Sequence, residues 1–193
     1  MALSLKKHPM PEQDPAVRAQ NFDEVALGYD EETAVAEAKR CLHCKVPLCR
    51  QGCPVGVDIP GFIDRIKARD YTGAIAIIKE TNALPAVCGR VCPQENQCEK
   101  NCVLAKRGEA VAIGRLERFA ADWDLAREQT IPPITYADDA QRVAVIGAGP
   151  AGLSLMRAPR RRPRPRDASR CPSGPPTSLS PWLRAALRRD PPP

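Results

Sequence analysis

Cys41-Leu42-His43-Cys44-Lys45-Val46-Pro47-Leu48-Cys49-Arg50-Gln51-Gly52-Cys53-Pro54 is the stretch on which this chain turns. It is answered by Cys88-Gly89-Arg90-Val91-Cys92-Pro93-Gln94-Glu95-Asn96-Gln97-Cys98-Glu99-Lys100-Asn101-Cys102. Together they hold eight of the nine cysteines. A thiolate is a soft anionic ligand suited to Zn2+, Cu(I) or iron–sulfur clusters, and spacing separates these. A zinc ribbon sets two C-x2-C knuckles about 15–20 residues apart, but this chain has one x2 pair, extended by x4 and x3 gaps and closed by proline. That resembles the C-x2-C-x2-C-x3-C-P run of bacterial ferredoxins, whose fourth cysteine serves another cluster. Three close cysteines can wrap three corners of a cubane, and the fourth ligand must then come from far along the chain. The second block meets that need. All eight cysteines ligating makes two clusters, as does seven with one other ligand.

The surroundings favour metal over disulfides. The opening MALSLKKHPMPEQDP lacks the apolar core of a secretory signal, and no apolar run approaches the ~20 residues of a bilayer span. The expected compartment is the reducing cytoplasm, where clustered cysteines serve metals. No membrane partner is expected.

Outward from the cysteines, the pattern is helical. Residues 1–29 are polar with no sustained period and read as an extended arm lying on another domain or subunit. Asp30 caps a helix over Glu31–Arg40, with acids in its first turn and bases in its last. Between the blocks lie two helices. One is capped by Asp58, with Pro60 in its opening turn and Phe62, Ile63 and Ile66 inward. The other follows Asp70, with Ala74, Ile75, Ile77 and Ile78 inward, and ends near Asn82. Gly61 and Gly73 are expected to weaken them. Val111–Glu128 is another helix, with Leu116, Phe119, Ala120 and Trp123 as its apolar stripe. The segment 30–128 is thus a helical cluster module, and 129–141, with Pro132 and Pro133, a linker.

At 142–146 the period changes to that of a short buried strand, followed by Gly147-Ala148-Gly149-Pro150-Ala151-Gly152. Such glycines permit a tight turn and close approach of a pyrophosphate at a helix N-terminus. A dinucleotide fold then needs a helix, a second strand and a ribose-binding acid about 20 residues on. None is recognisable; Asp167 stands at that distance without a strand around it, and Cys171 reads as incidental. Residues 142–154 are therefore the truncated start of a dinucleotide-binding domain.

Residues 155–193 read as a disordered Arg/Pro-rich tail. From 157 onward there are ten Arg, ten Pro, two Asp and no Lys. The tail's net charge of +8 accounts for the basic total of +6, so the remainder gives no reason to expect a nucleic-acid partner. We expect residues beyond Ser154–Met156 to be out-of-frame translation, which reading the downstream DNA in the other frames tests. The competing reading is a genuine disordered tail that binds acidic partners. Without the tail, three Phe, three Tyr and Trp123 are few large side chains for a core, and bound metal would supply the missing stability.

Four segments carry a family resemblance: AEAKRCLHCKVPLCRQGCPVGVDIPGFI (36–63), TNALPAVCGRVCPQENQCEKNC (81–102), AVAIGRLERFAADW (110–123) and VAVIGAGPAGLS (143–154). The chain from about Pro9 to Ser154 resembles the N-terminal part of the small (beta) subunit of NADPH-dependent glutamate synthase. That module is shared with the front of dihydropyrimidine dehydrogenase and of flavin-based transhydrogenase subunits. The resemblance implies a mainly α, helical ferredoxin-like domain with two [4Fe–4S] clusters. Cys41, Cys44, Cys49 and Cys102 would hold one. Cys53, Cys92 and Cys98 would hold three corners of the other, with Glu117 as the fourth ligand. By its residues alone Glu117 is a solvated acid beside Arg118. Cys88 becomes a buried thiol that is not a ligand.

His43, between two ligands, is expected to be exposed or in the outer shell, and His8 carries no signal. Backbone N–H groups of turns at Gly52 and Gly89 are expected donors to sulfur, and Lys45, Arg50 and Arg90 are expected either to favour the reduced state or simply to be solvated. The resemblance also implies FAD at Gly147, Gly149 and Gly152, an incomplete site here. It implies a large glutamate-synthase-type subunit, or another electron acceptor, as partner. The expected function is an electron-transfer module, not catalytic alone. The alternative is a zinc-stabilised scaffold without redox activity.

Overall fold

The computed structural model describes residues 4–127 and 144–157. They form helices α1 (Pro15–Arg18), α2 (Glu31–Ala38), α3 (Leu48–Gln51), α4 (Ile59–Lys67), α5 (Tyr71–Lys79), α6 (Pro85–Val91), α7 (Ile113–Leu125) and α8 (Pro150–Arg157). Among the described residues there is no strand, only an isolated antiparallel bridge between Glu12 and Ala26. The linker, residues 142–143, Asp167, Cys171 and the rest of the tail beyond 157 lie outside the described residues.

Local signals explain most helix starts. The Asp30 carboxylate accepts from Thr33 N at 2.7 Å, and Asp70 accepts from Gly73 N at 2.8 Å, each satisfying an orphan donor of a first turn. Asp58 departs from expectation, making no capping bond; Pro60 opens α4 instead. Gly73 is less a defect than a fit, because a Cβ there would lie 2.2 Å from the capping Asp70 carboxylate. Helix α7 is shorter than the 111–128 expected, and the second cysteine block opens with a helix, α6, that was not expected.

The core is built from one face each of α2, α4, α5 and α7. Phe62, Ile63, Ile66, Ala74, Ile78, Leu116 and Ala120 are all at most 1% exposed. Tyr71 meets Phe119 and Trp123 edge-on at 5.2 and 5.4 Å. Helix α6 lies on α7 at a glycine. A Cβ on Gly89 would stand 2.7 Å from the backbone N and Cα of Arg118, so only glycine permits this crossing. Gly89→Ala is expected to cost about 1–3 kcal/mol through overpacking, measured as a lowered midpoint of chemical unfolding.

The arm packs on its own chain. Residues 4–29 fold back over the helices that follow them. Gln13 N bonds Val25 O and Leu27 N bonds Pro11 O, both at 2.8 Å. His8, assigned no role from sequence, packs its ring against Glu37, with Nδ1 2.6 Å from Oε2. Its backbone oxygen accepts from Tyr29 Oη at 2.5 Å and Arg115 Nη1 at 2.8 Å.

The expected buried strand is also corrected. Residues 144–146 pair with nothing among the described residues, and Ile146 is fully exposed. Gly147 has φ +108°, and a Cβ on Gly152 would fall 2.0 Å from Gly147 O. Residues 147–149 lead into α8, so residues 155–157, assigned from sequence to a disordered tail, are helical.

Candidate metal centre

The described cysteines are all free thiols, and tertiary packing sorts them into two groups that cross the sequence order. The first is Cys41, Cys44, Cys49 and Cys102, which together line an apolar cavity with Leu48, Ile59 and Ile63. Three of them come from the first block; Cys102 is delivered from the second by the turn ahead of residues 103–106. Burial pushes the Cys49 thiol up to about 11, and the neighbouring Cys41, Cys102 and Cys44 add to the rise. Cys41 is raised likewise, chiefly by burial.

The second group gathers Cys53 with Cys88, Cys92, Cys98 and Glu117. Burial raises Cys92 to about 11, with Cys88, Glu117 and Cys53 adding to the rise. Cys98, the most buried thiol, is pushed to about 12 by burial and then by Glu99, Cys53 and Glu117. Glu117 is a half-buried side chain of α7, its carboxyl raised to about 7 by burial, with Asn82 opposing. Asn82 Nδ2 donates to Glu117 Oε1 at 2.7 Å. The simple solvated acid suggested by the residues alone is not what the fold makes of Glu117.

These donor sets fit iron–sulfur clusters. Thiols lose their protons on binding a soft metal centre, and burial keeps these protonated until then. A lone Zn2+ would gather its sulfurs at about 2.3 Å from one point, whereas a cubane spreads its ligands over separate corners.

Backbone N–H groups lie close to several of the sulfurs. The N–H groups nearest the sulfurs are those of His43 beside Cys41, Arg50 beside Cys49 and Glu99 beside Cys98, of which Arg50 N already bonds Pro47 O and Glu99 N bonds Gln94 O. Gly52 N instead bonds Leu48 O, and Gly89 sits inside α6. Gly52 serves packing, since a Cβ there would lie 2.4 Å from Asn101 Nδ2 and 2.7 Å from Gln97 O. It lets the two cysteine blocks touch.

His43 is exposed and adopts φ +48°, left-handed backbone costly for branched side chains. Its functional part is therefore its backbone. His43→Gly is expected to keep iron bound at the first group, while His43→Val lowers iron content and the reconstitution yield.

The charged residues divide. Lys45 and Arg50 are exposed. Arg90 is consumed by ion pairs with Glu24 and Asp122 at 2.7 and 2.8 Å, so it braces the arm on α6 and α7 and does not face the thiols as a free cation. Arg118, nearly buried, reaches Ala26 O at 2.7 Å.

Sequence reasoning missed two buried acids that set the position of α7. Ala112, its N-cap residue, has no capping side chain. Glu37 Oε1 accepts from Ala112 N at 2.8 Å and Glu99 Oε1 from Gly114 N at 3.3 Å. Anions at a helix N-terminus complement its dipole and orphan donors. Arm residues complete both sites, Lys7 pairing with Glu99 at 2.5 Å and His8 with Glu37. Glu117 lies one turn further along the helix so fixed.

The family model described as dihydropyrimidine dehydrogenase domain II, 4Fe-4S cluster, matches residues 18–129. The chain is 41% identical over 146 residues to the glutamate synthase [NADPH] small chain of Halomonas elongata, covering 74% of this chain and 30% of that protein. It is 42% identical over 137 residues to the NAD-dependent dihydropyrimidine dehydrogenase subunit PreT of Salmonella typhimurium, covering 69% and 32%. It is 40% identical over 140 residues to the putative oxidoreductase AegA of Escherichia coli, covering 71% and 21%. The chain thus spans about a third or less of these curated relatives.

Proposed function

The chain belongs to the 4Fe-4S family of dihydropyrimidine dehydrogenase domain II, and from that premise we propose that it is an electron-transfer module carrying two [4Fe–4S] clusters. Cys41, Cys44, Cys49 and Cys102 hold one; Cys53, Cys92, Cys98 and Glu117 hold the other. The observation that carries this reading is the crossed grouping, in which Cys53 leaves its own block and Cys102 enters it. Each cluster, when bound, takes up and releases one electron. The protein's own part is to keep the thiols buried, place N–H groups beside sulfur and fix Glu117 through α7.

The names of the relatives support an oxidoreductase of the glutamate synthase small-chain type, and we propose flavin on one side of the module and a large subunit or another acceptor protein on the other. Gly147, Gly149 and Gly152 match the opening turn of an FAD site. No strand pattern with a ribose-binding acid is recognisable in the sequence after Ser154, so we propose that these glycines by themselves do not make a complete FAD site.

Anaerobic reconstitution of the 193-residue chain tests the reading. A brown protein with about eight iron and eight sulfide per chain, bleached by dithionite, is expected. A colourless protein with stoichiometric zinc would establish the scaffold reading in its place. No NADPH oxidation with an artificial acceptor is expected; measurable turnover overturns the claim that the flavin site is incomplete.

A further inference from the structure

Asn82 follows α5 and is 6% exposed. Its backbone N–H bonds Ile78 O at 3.0 Å, fixing it to the end of that helix. Its side-chain amide then serves three groups. Nδ2 donates to Glu117 Oε1 at 2.7 Å. Oδ1 accepts from Leu84 N at 2.9 Å and from the Cys88 thiol at 3.5 Å. The orientation of the amide is not free. Leu84 N–H only donates, so the oxygen must face Leu84, which leaves the NH2 facing Glu117.

One amide therefore handles both candidates for the fourth position beside Cys53, Cys92 and Cys98. Cys88 belongs to the same cluster of groups, standing beside Cys92. Sulfur is the softer ligand, and by thiol count alone Cys88 is the natural fourth. The amide oxygen, however, holds Cys88 as an S–H donor, while the amide NH2 holds the Glu117 carboxylate. We propose that Asn82 is a positioning residue that selects the Glu117 oxygen over the Cys88 sulfur as fourth ligand of the second cluster. This rests on the ligand set proposed above.

Asn82→Asp separates this role from a structural one. It keeps an oxygen for Leu84 N and Cys88, and replaces the donor facing Glu117 by a second carboxylate. Glu117 is then repelled and Cys88 takes the corner. An Fe–O bond is exchanged for an Fe–S bond, and the thiol proton passes to the freed Glu117 carboxylate. The full chain, reconstituted anaerobically, is read by Mössbauer and EPR spectroscopy and by redox titration.

In Asn82→Asp, iron is expected to stay at about eight per chain, with the second cluster's spectrum and midpoint potential shifted and the first cluster's unchanged. Asn82→Asp combined with Cys88→Ala is expected to lose about one iron per chain and to show a three-iron EPR signal. If the Asp variant does not fold, Asn82→Ser keeps an acceptor for Leu84, removes the NH2 donor and is read the same way. Unchanged spectra, or equal shifts in both clusters, overturn the proposal. Glu117→Ala tells the two failures apart. If it leaves the second cluster unaltered, the ligand assignment itself falls and this proposal with it; if it alters that cluster while the Asn82 variants do not, only the selector role falls.

Discussion

Cys98→Ala is expected to reduce bound iron from about eight to about four atoms per chain, whereas Cys88→Ala leaves it near eight. The two thiols lie ten residues apart in the same block, so sequence position does not separate them. Their environments do. Cys98 is 7% exposed and packs into the hydrophobic core among the neighbours of Cys53 and Glu117. Cys88 is held by Asn82 through its S–H. Loss of Cys98 also removes a tie between the two cysteine blocks, because Cys53 and Cys92 would no longer share a complete cluster. The visible spectrum should halve in intensity, and chelator-induced unfolding should begin at lower chelator concentration. Equal iron loss from both variants would mean that Cys88 is a ligand and that Glu117 is not.

Glu37→Leu is expected to destabilise the folded chain by about 3–5 kcal/mol, the cost of leaving a buried ion uncompensated. Glu37 is fully buried. Its carboxylate pairs with Arg40 at 2.5 Å and receives His8 N at 2.9 Å and Ala112 N at 2.8 Å. Arg40, 1% exposed, donates onward to Ser4 O, Ala110 O and Glu109 O. Removing the carboxylate strands the Arg40 charge and frees the arm and the start of α7 together. Urea unfolding followed by far-UV circular dichroism measures the loss; a change below about 1 kcal/mol would show that the network is not cooperative.

The same residue gives a pH dependence with a definite sign. Burial raises the Glu37 carboxyl pKa, but hydrogen bonds from His8 and Ala112 and the Arg40 charge outweigh burial and leave it lowered from 4.5. A group whose pKa falls on folding contributes stability that is fully present above its unfolded value and is lost as pH drops through its folded value. Stability should therefore decline below about pH 4.5, and Glu37→Gln should flatten that part of the profile.

Glu37 also shows why part of this molecule could not be read from its residues. In Glu31-Glu32-Thr33-Ala34-Val35-Ala36-Glu37-Ala38 the acids look alike. Two pair at the surface with Arg69, and the third is buried. The difference arises because the arm, itself without periodicity, supplies His8 and Ser4 to that face. The helices, by contrast, were legible wherever a capping Asp preceded an apolar stripe, as at Asp30 and Asp70. They were misjudged where packing sets the limits, as with α6, the start of α7 and the role of Gly89.

Cysteine type and spacing determine by themselves that this chain is a thiolate-rich metal module: the x2, x4 and x3 gaps suit cluster corners and not zinc knuckles. The family-specific motifs extend this to the 4Fe-4S family. Only the tertiary structure decides which thiols stand together, that Cys53 and Cys102 exchange groups, and that Glu117 turns inward. Those outcomes depend on long-range contacts: Gly52 against Asn101 and Gln97, α6 on α7 at Gly89, and two buried acids fixing the start of α7. A local pattern records which ligands a chain owns; packing between distant segments sets which of them meet.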